Sequence, residues 1–457
     1  MTTAVVLFTR DLRVHDHPAL TAAVERADRV VPLFVFDDAI LGSRYAAPNR
    51  VSHLLDAVVE LRSALGERGA GLVVRRGEVL DAVREMVVEV RADELHLSSD
   101  VSGYARRREE ALRSLARDEL EGRLRVYTHE GIVLVPPGEI EPSGGDHFKV
   151  FSPYWRRWVA LDHRQPEPAP SRVPMPTAIR TGTMPRLDEL VDTAPGADLP
   201  PAGESAARTR MEEWFDGPVD AYEERRNLLA EDGTSRLSPY LHMGEISVAE
   251  LVARVDRSQE GQEAFLQELC WRDFNHQMLA ARPDLPHSDI RTQHDRWRDD
   301  EDAIEAWKQG RTGYPVVDAG MRQLQRDGWM HNRARMIVAS FLTKHLYVDW
   351  RVGAWHFMDH LVDGDLANNF GQWQWTAGTG TDSRPNRMFN PVTQSERYDP
   401  QGTYIRRYVD ELADVDDSHI HAPWEAEGTL LGGEGDYPPP IVDHREARAR
   451  FLEARDA

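Results

Sequence analysis

Carboxylates, amides and indoles lie close together in the stretch Asp363–Trp375, which reads DGDLANNFGQWQW. Carboxylate and amide groups can hydrogen-bond the edge of an aromatic heterocycle, and an indole can stack on its face. On a helix, residues two apart point roughly 200° away from each other, so Trp373 and Trp375 should face different neighbours. One could face inward to a cofactor and the other outward to a flat ligand. A core helix with two packing tryptophans would explain the same pattern.

A second stretch, Gly233–Tyr240, reads GTSRLSPY and has the chemistry of an anion site. Ser238 is predicted as the N-cap of a helix and Pro239 as its first residue. The preceding Thr-Ser-Arg would then offer two hydroxyls, free backbone N–H groups and a guanidinium at the helix N-terminus, which suits a pyrophosphate. A simple helix cap is the alternative interpretation.

A third stretch, Glu268–Phe274, places a carboxylate, an indole and a guanidinium on one helix face. Glu268 and Trp271 are three residues apart, and Arg272 follows Glu268 by one turn. This set suits a base that is stacked and hydrogen-bonded. An exposed Glu–Arg pair over a packed tryptophan is the alternative.

The fourth stretch, Gly328–Met336, reads GWMHNRARM. Asn332, Arg333 and Met336 fall within about one helical turn, whereas Arg335 points elsewhere. The pattern indicates a helix that serves two partners.

Composition restricts the class of protein. The chain has 457 residues with 41% hydrophobic residues, which indicates a globular protein with room for two or three domains. A net charge of −22 argues against non-specific coating of nucleic acid but allows a local basic groove. The single cysteine, Cys270, excludes an internal disulfide framework and a cysteine-cluster metal site, and we expect no metal. Without a signal-peptide pattern or a membrane-spanning run, the chain is expected to be cytoplasmic and soluble.

The elements that carry these stretches divide the chain into three parts. Strands and helices alternate over residues 1–130, which predicts an α/β domain with a parallel, doubly wound sheet. The turn after its first strand, Thr9–Arg13, has no glycine, so the domain is Rossmann-like without the GxGxxG fingerprint and any dinucleotide should bind elsewhere. Residues 131–204 are rich in proline and glycine and are predicted to connect the domains, with one short helix at 151–158. Helical patterns fill residues 205–457, and the last forty residues are expected to form a tail packed on the surface. The predicted strands are Thr3–Phe8, Arg29–Phe36, Leu72–Arg75, Glu94–Leu97 and Leu124–Tyr127.

Taken together and in this order, the motifs resemble the photolyase/cryptochrome family, and within it the bacterial enzymes that repair cyclobutane pyrimidine dimers. The resemblance runs from RDLRVHDHPAL through GTSRLSPYLHMGEIS, CWRDF, GYPVVDAGMRQL and GWMHNRARM to DGDLANNFGQWQW. It implies an all-helical C-terminal domain, residues 205–457, that binds FAD and DNA, and an antenna-binding N-terminal domain. It also implies a light-driven lyase in which FAD gives an electron to the dimer, the cofactor carrying the chemistry.

The resemblance assigns the flavin contacts by position. Asn369 matches the residue beside the flavin N5. The other matched positions are Tyr222, Thr234, Ser235, Arg236, Leu237, Ser238, Glu268, Arg272, Trp329, Arg335, Asp363, Gly364 and Asp365. Trp373, Trp350 and Trp297 fall at the spacings of the family's electron wire from flavin to surface; core packing is the alternative for these three.

The resemblance likewise assigns a lesion pocket. Trp271 and Trp375 match its walls, Glu268 and Asn332 its hydrogen-bonding groups, and Met336 its apolar floor. Arg226 and Arg333 match contacts on the lesion side, and Thr393 matches a DNA contact. The relatives that repair (6-4) photoproducts carry Trp-Ile-His-His-Leu where this chain continues Met330-His331-Asn332-Arg333, which favours cyclobutane dimers.

The partner implied is UV-damaged DNA, flipped out at the lesion and recognised without regard to sequence, and the protein is expected to be a monomer. For the antenna, Arg50 and Asp100 resemble positions of the relatives that bind 8-hydroxy-5-deazaflavin; methenyltetrahydrofolate is the alternative, and both residues could instead lie at the surface or at a sheet end. A cryptochrome-type blue-light photoreceptor without repair activity is the alternative function. An ordinary flavin oxidoreductase is disfavoured because no nicotinamide fingerprint is present.

Overall fold

Five parallel strands form the centre of the N-terminal region in the computed structural model, which describes residues 1–120, 122–426 and 437–456. All six residues of the first strand are buried, as in parallel sheets that helices cover on both faces. The strand order is β3-β2-β1-β4-β5, and it confirms the predicted α/β fold. The strands are β1 (Thr3–Phe8), β2 (Arg29–Asp37), β3 (Val73–Gly77), β4 (Glu94–Ser98) and β5 (Arg125–His129).

Helices cover both faces of this sheet. Successive side chains of a strand point to opposite faces, so one strand contributes to the apolar layers on both sides. Ala4 and Val6 of β1 belong to one apolar cluster, and Val5 and Leu7 belong to another. The helices of this region are α1 (Pro18–Arg26), α2 (Asp38–Leu41), α3 (Pro48–Glu67), α4 (Val79–Val90) and α5 (Gly103–Ser114). A π-helical turn, Leu115–Glu119, continues α5.

The proline-rich connector packs against the edge of the sheet. The N–H of Val30 donates to the carbonyl of Pro174 at 2.9 Å, and the N–H of Val74 donates to the carbonyl of Thr181 at 2.7 Å. One helix, α6 (Phe151–Trp158), interrupts the connector where the sequence predicts it. The backbone groups of this segment are thus partly satisfied by the first domain.

Helices make up the rest of the described chain from Glu204 onward. Two apolar clusters form their core, one around Trp307, Trp350 and Phe370 and the other around Trp214 and Phe274. The helices are α7 (Glu204–Phe215), α8 (Tyr222–Arg225), α9 (Ser238–Met243), α10 (Val248–Ala253), α11 (Glu260–Ala281), α12 (Glu301–Lys308), α13 (Pro315–Asp327), α14 (Asn332–Ser340), α15 (Trp350–His360), α16 (Leu366–Ala377), α17 (Pro391–Tyr398), α18 (Thr403–Tyr408) and α19 (His444–Asp456). The predicted helical domain is confirmed.

One local prediction is wrong. Ser238 is the first residue of α9, and Leu237 is its N-cap, without a side-chain cap hydrogen bond. The preceding Arg236 has a left-handed backbone (φ 51°), which turns the chain into the helix one residue earlier than the Ser-Pro pair suggests.

The tail predicted for the last forty residues contains a helix that the sequence does not predict, α19, over residues 444–456. Ala447 and Phe451 are fully buried four residues apart on one face of this helix. The charged residues around them hide that short apolar stripe in the sequence. The part of the predicted tail at 427–436 lies outside the described residues.

Candidate functional site

A cavity of about 420 Å³ lies among α9, α11, α14 and α16. Its volume falls in the range of about 300–1,000 Å³ that is typical of small-molecule sites. Of the residues singled out from the sequence, those that line it are Ser235, Ser238, Glu268, Trp271, Arg272, Asn332, Arg335, Met336, Asp363, Asp365, Asn369, Trp373 and Trp375. The four stretches that carried the sequence argument therefore meet at one cavity.

An ion pair between a partly exposed arginine and a buried aspartate forms one wall. Arg335 on α14 donates from Nη2 to Asp363 Oδ2 at 2.8 Å and from Nε to the carbonyl of Met330 at 2.8 Å. The other carboxylate oxygen, Asp363 Oδ1, is buried and has no hydrogen-bond partner within the described chain. Gly364 follows, and a Cβ there would lie 2.5 Å from Nη1 of Arg50. A side chain at this position would therefore displace the guanidinium of Arg50 from the carbonyls of Met358 and Leu361.

Asp365 joins the cavity to the loop after β1. It caps α16 by accepting from the N–H of Asn368 at 2.9 Å, and it accepts from Arg10 Nη2 at 2.6 Å. His276 and His242 lie 3.7 and 3.8 Å away. Although burial opposes ionisation, these cationic and hydrogen-bonding neighbours hold the pKa of Asp365 well below its usual range. The carboxylate is therefore an anion fixed at the cavity wall.

Two further cavity residues are held through the backbone. Arg272 donates from Nη1 to the carbonyl of Ile132 at 2.6 Å, and burial lowers its pKa. Asn369 donates from Nδ2 to the carbonyl of Ala354 at 2.9 Å, and the side-chain oxygen of Asn369 takes no part in this hydrogen bond. Both side chains are thus fixed before any ligand binds.

The end of the loop before α9 and the first residue of that helix offer hydroxyls to the cavity, but the guanidinium of Arg236 does not line it. Ser235 and Ser238 line the cavity, and Ser238 Oγ accepts from Trp329 Nε1 at 3.3 Å. Arg236 pairs instead with Asp232 at 2.7 Å and lies over the Trp329 ring at 4.9 Å.

The remaining predicted contacts of this part do not line the cavity. Leu237 is buried, and the carbonyl of Thr234 accepts from Arg210 at 2.9 Å. Tyr222 packs edge-on against Trp214 and Phe265, and burial raises the pKa of its phenol.

Glu268 stands at the mouth of the cavity. Arg226 donates from Nη1 to its Oε1 at 3.1 Å and also pairs with Glu223 at 2.9 Å. Surrounding protein raises the pKa of Glu268, and Arg226 partly offsets this effect. Only Glu268 of the two carboxylates lines the cavity.

Two indoles flank the mouth, each backed by another side chain. Trp271 is stacked face to face on Phe151 of α6, with ring centroids 3.8 Å apart and planes 5° apart. Arg387 lies over the ring of Trp375 at 5.1 Å. Lys344 holds the backbone of this arginine by donating to its carbonyl at 2.6 Å. The mouth is therefore aromatic with a cation beside it.

The side chains of α14 divide differently from the sequence prediction. Asn332 and Met336 line the cavity, and so does Arg335, which the helical spacing predicts to point elsewhere. Arg333 lies outside the cavity. It donates two hydrogen bonds to Asn227 Oδ1, at 2.6 and 3.0 Å, and its guanidinium lies over the ring of Tyr398. Thr393, in the first turn of α17, is exposed at the surface and does not line the cavity.

The three tryptophans of the predicted wire differ in burial, and of the three only Trp373 lines the cavity. Trp373 lines the cavity and is 3% exposed. Trp350 is fully buried and donates from Nε1 to Asp289 at 2.9 Å, whereas Trp297 is partly exposed. Among the described residues, no ring contact joins two of these three tryptophans. Trp373 instead contacts Phe357 and Trp307, with ring centroids 5.0 and 6.1 Å away.

The two predicted antenna residues are engaged within the protein. Arg50 is buried and donates to the carbonyls of Leu361 (2.7 Å), Met358 and Tyr45. Asp100 accepts from Arg10 at 3.4 Å and borders a cavity of about 170 Å³. Arg50 therefore takes part in contacts between the sheet region and the helical region, whereas the hydrogen bond of Asp100 lies within the sheet region.

Several cavity-lining residues escape the sequence argument: His242, Phe265, Asn368 and Gln372. Arg10, which pairs with Asp365, is missed as well, because its partner lies 355 residues away in the sequence. Its RDLR pattern was the available signal.

Two negative findings concern the described residues alone. No group of three or more histidine, cysteine, aspartate or glutamate side chains there has the arrangement of a metal site. No helix there is long and apolar enough to span a membrane.

Comparison with known proteins agrees with this geometry. Residues 4–173 match the family model described as DNA photolyase, and residues 265–457 match that of the FAD binding domain of DNA photolyase. The helical region thus contains an FAD-binding domain.

Full-length relatives extend this result. The deoxyribodipyrimidine photo-lyase of Streptomyces griseus is 52% identical, over 100% of this chain and 99% of that protein. Among solved structures, a bacterial class III photolyase from Agrobacterium tumefaciens has a TM-score of 0.92 at 35% identity, covering 100% of this chain and 97% of that one. A cryptochrome from Synechocystis sp. PCC6803 has a TM-score of 0.91 at 29% identity, with 99% of each chain covered. The chain belongs to the DNA photolyase family.

Proposed function

We propose that the protein repairs cyclobutane pyrimidine dimers in DNA by light-driven electron transfer from FAD, as a deoxyribodipyrimidine photo-lyase. The observation that carries this proposal is that one cavity joins two kinds of lining. Its inner part has the fixed ionic and amide groups Asp363, Asp365 and Asn369, and its mouth has Glu268 between indoles. A cofactor inside and a flat lesion at the mouth would then lie next to each other.

The residues present fit a flavin dinucleotide. The buried, unpartnered Asp363 Oδ1 offers an acceptor to a ligand N–H or hydroxyl, and Arg335 beside it keeps the carboxylate ionised. FAD, when bound, supplies the electron that blue light mobilises. The residues we propose to hold it are Tyr222, Thr234, Ser235, Arg236, Leu237, Ser238, Glu268, Arg272, Trp329, Arg335, Asp363, Gly364, Asp365 and Asn369. Six of these residues would have to act from outside the cavity lining: Tyr222, Thr234, Arg236, Leu237, Trp329 and Gly364.

The mouth performs the recognition of the lesion. A dimer must leave the duplex to reach the cavity, and the indole faces of Trp271 and Trp375 can then stack on it. Glu268 and Asn332 offer hydrogen bonds to its pyrimidine edges above the apolar Met336.

Arg226, Arg333 and Thr393 are proposed to contact the DNA backbone. Such contacts position the duplex without reading base order, so the lesion would be recognised by shape. We propose that one chain suffices for this and that the protein acts as a monomer. We also retain the division into residues 1–130, 131–204 and 205–457 as a proposal; β5 ends at His129 and α7 begins at Glu204, which supports it.

A second chromophore, an 8-hydroxy-5-deazaflavin or alternatively methenyltetrahydrofolate, is proposed for the N-terminal domain. The geometry gives limited support to Arg50 and Asp100 as its contacts, since both already bind protein groups. The neighbouring cavity of about 170 Å³ is also smaller than typical ligand sites. No step of the proposed reaction depends on this group.

The proposed wire of Trp373, Trp350 and Trp297 can be tested separately from repair. Trp373→Phe should block light-driven reduction of bound flavin while sparing repair by protein that is reduced chemically. Trp307→Phe is the matched control, because Trp307 is also buried and contacts Trp373 but is not part of the wire. Equal photoreduction in wild type and Trp373→Phe would contradict the wire.

The test of the function is repair itself. Reduced, flavin-loaded protein is illuminated with blue light on an oligonucleotide that carries one thymine dimer, and the recovery of thymine absorbance is followed. Glu268→Gln and Trp271→Ala should lower repair. Glu223→Gln should not, although Glu223 pairs with the same Arg226.

A blue-light receptor of the cryptochrome type is the competing function, and the fold does not separate the two. Glu268, Trp271, Asn332 and Met336 at the mouth favour repair, because a sensor has no use for that lining. Normal flavin photoreduction with an intact dimer would favour the sensor.

A further inference from the structure

Residues 378–390, here called the mouth segment, join α16 to α17 and contain no helix or strand. Arg387 of this segment is exposed and lies over the ring of Trp375, a wall of the cavity mouth, at 5.1 Å. The start of the segment is fixed through its backbone, since the carbonyl of Thr379 accepts from the N–H of Arg291 at 2.7 Å. Farther along, the position of Arg387 must be set by other groups.

Lys344 supplies the bonds that hold this later part of the mouth segment. Its ammonium donates to the carbonyl of Pro385 at 2.9 Å and to that of Arg387 at 2.6 Å. Among the described residues, no other hydrogen bond joins residues 383–388 to a residue outside the mouth segment. Lys344 lies in the π-helical turn Phe341–His345, which continues the cavity-lining helix α14. One ammonium therefore ties the segment that bears Arg387 to a helix of the cavity.

The charge of Lys344 is balanced by carbonyl dipoles rather than by a carboxylate. The residue is 2% exposed, and within the described part of the chain it forms no ion pair. Its Nζ lies 5.6 Å from the centroid of the Phe451 ring on α19. A buried cation without an anionic partner is costly, and a neutral amide could donate to the same carbonyls at a lower cost. The retained charge therefore indicates a functional role.

Charged and titratable groups face Lys344 from each element packed against it. They are Arg455 and His444 of α19, Arg387 and Asp382 of the mouth segment, Asp295 of the chain before α12, and the neighbouring His345. Burial, the largest effect, and the arginines lower the pKa of Lys344 to about 7, although the two aspartates oppose this change. An arginine would stay charged at every physiological pH, whereas this lysine titrates near neutrality. The chain has only two other lysines, Lys149 and Lys308, so lysine is a selective choice here.

We propose that Lys344 is a positioning residue for lesion binding, whose ammonium keeps the mouth segment in the shape that places Arg387 beside Trp375 and the DNA. The proposal rests on the proposed function, since it assigns Arg387 to a phosphate of the DNA that carries the dimer. A phosphate there brings negative charge close to Lys344 and favours its protonated form. Binding of damaged DNA then takes up a proton at pH values above about 7, so the affinity should fall as the pH rises.

The first experiment observes Lys344 directly in the flavin-loaded chain without DNA. Because the chain has three lysines, the side-chain NMR signals of ¹³C-labelled lysine can be assigned by substitution and followed between pH 5 and pH 10. We expect one signal to titrate near pH 7 and to be absent from Lys344→Met. Arg387→Gln should raise that pKa, since it removes a cation that opposes protonation. A pKa near about 10.4 for all three lysines would overturn the proposal.

The second experiment measures the affinity for a dimer-containing duplex by fluorescence anisotropy in the dark. We expect the affinity of the wild type to fall about fivefold between pH 7 and pH 9. Lys344→Met should bind about tenfold more weakly at pH 7 and lose this pH dependence. Lys308→Met is the matched control and should behave as the wild type, because Lys308 is partly exposed and pairs with Glu305 at 3.8 Å. An unchanged affinity and pH profile in Lys344→Met would contradict the positioning role.

A third variant separates positioning from packing. Lys344→Gln keeps N–H donors for the carbonyls but cannot titrate, so it should bind more tightly than Lys344→Met and show no pH dependence between pH 7 and pH 9. It also keeps the proposal testable if Lys344→Met unfolds. Calorimetry in two buffers of different ionisation enthalpy measures the proton taken up on binding, and a lysine that only fills space would take up none.

The two proposals fail in different ways. If the wild type binds damaged and undamaged duplex equally, the proposed function is wrong. The NMR titration of Lys344 and its response to Arg387→Gln need no DNA, so they still support or overturn the contact between Lys344 and the mouth segment.

Discussion

Arg10 donates from Nη2 to Asp365 Oδ2 at 2.6 Å, so the loop after the first strand of the sheet holds the N-cap of the helix that carries Asn369 and Trp373. The same guanidinium reaches Asp100 at 3.4 Å and the carbonyl of His242 at 3.2 Å. One side chain of the α/β domain therefore contacts two groups at the wall of the cavity, Asp365 and His242, and also reaches Asp100.

Arg10→Met tests this connection. The substitution leaves the carboxylate of Asp365 buried without its closest cation, and we expect the free energy of unfolding to fall by about 3 kcal/mol. Urea unfolding measures this change, and the affinity for FAD should fall with it. Arg84→Met is the control, since Arg84 pairs with Asp81 and Glu119 only at the surface and its loss should change little. Equal effects of the two variants would contradict the assignment.

Asp363→Asn tests the cofactor wall. The amide of asparagine carries no charge, so it loses the ion pair with Arg335 and the ionic acceptor at Oδ1. We therefore expect the affinity for FAD to fall about ten- to a hundredfold. Quenching of flavin fluorescence by the apoprotein measures the affinity. Asp359→Asn, which loses a largely exposed ion pair with Arg44, should bind FAD as the wild type does.

Phe151→Leu tests the stacked pair at the mouth. The leucine fills space but leaves the indole of Trp271 without its parallel neighbour, a contact of about 0.5–1.5 kcal/mol. Affinity for a dimer-containing duplex should fall about two- to tenfold, whereas affinity for undamaged duplex should not change. Fluorescence anisotropy distinguishes the two. A uniform loss on both duplexes would assign Phe151 to general DNA contact instead.

Arg387→Gln tests the charge beside Trp375. Despite the net charge of −22, affinity for damaged DNA should fall as salt rises if the mouth is locally basic. Loss of one phosphate contact should reduce the slope of log affinity against log salt by about one. Binding that does not depend on salt in the wild type would contradict the assigned DNA face.

Lowering the pH should destabilise the protein well before its carboxylates titrate. Burial lowers the pKa of His331, His345 and His356 to about 3 each, whereas a histidine of the unfolded chain titrates near about 6.5. The unfolded state therefore binds more protons between these values, so stability rises with pH there and is lost as pH falls. His356→Phe should reduce the slope of unfolding free energy against pH by about 1.4 kcal/mol per pH unit. Chemical unfolding between pH 7 and pH 4 measures it.

The sequence predicts most of the cavity because its chemistry lies in short local motifs. The spacing of Glu268, Trp271 and Arg272 sets their directions on one helix, and the structure brings them to the same cavity. Contacts made across the chain are not encoded in this way. The stack of Phe151 on Trp271 and the pairing of Arg10 with Asp365 join segments far apart in the sequence. Helix α19 was missed for a related reason, since its two buried residues are recognisable only once the surface they cover is known.

The stacking of Phe151 on Trp271 makes the connector a component of the mouth. A linker that only joined two domains could be shortened, lengthened or cut without affecting the pocket. Here, cleavage of the chain between α6 and α7, or expression from Glu204 onward, would remove the ring that backs one indole as well as the arginine that holds Asp365. The helical part therefore depends on the first half of the chain for the shape of its pocket, and the two halves cannot be exchanged independently between relatives.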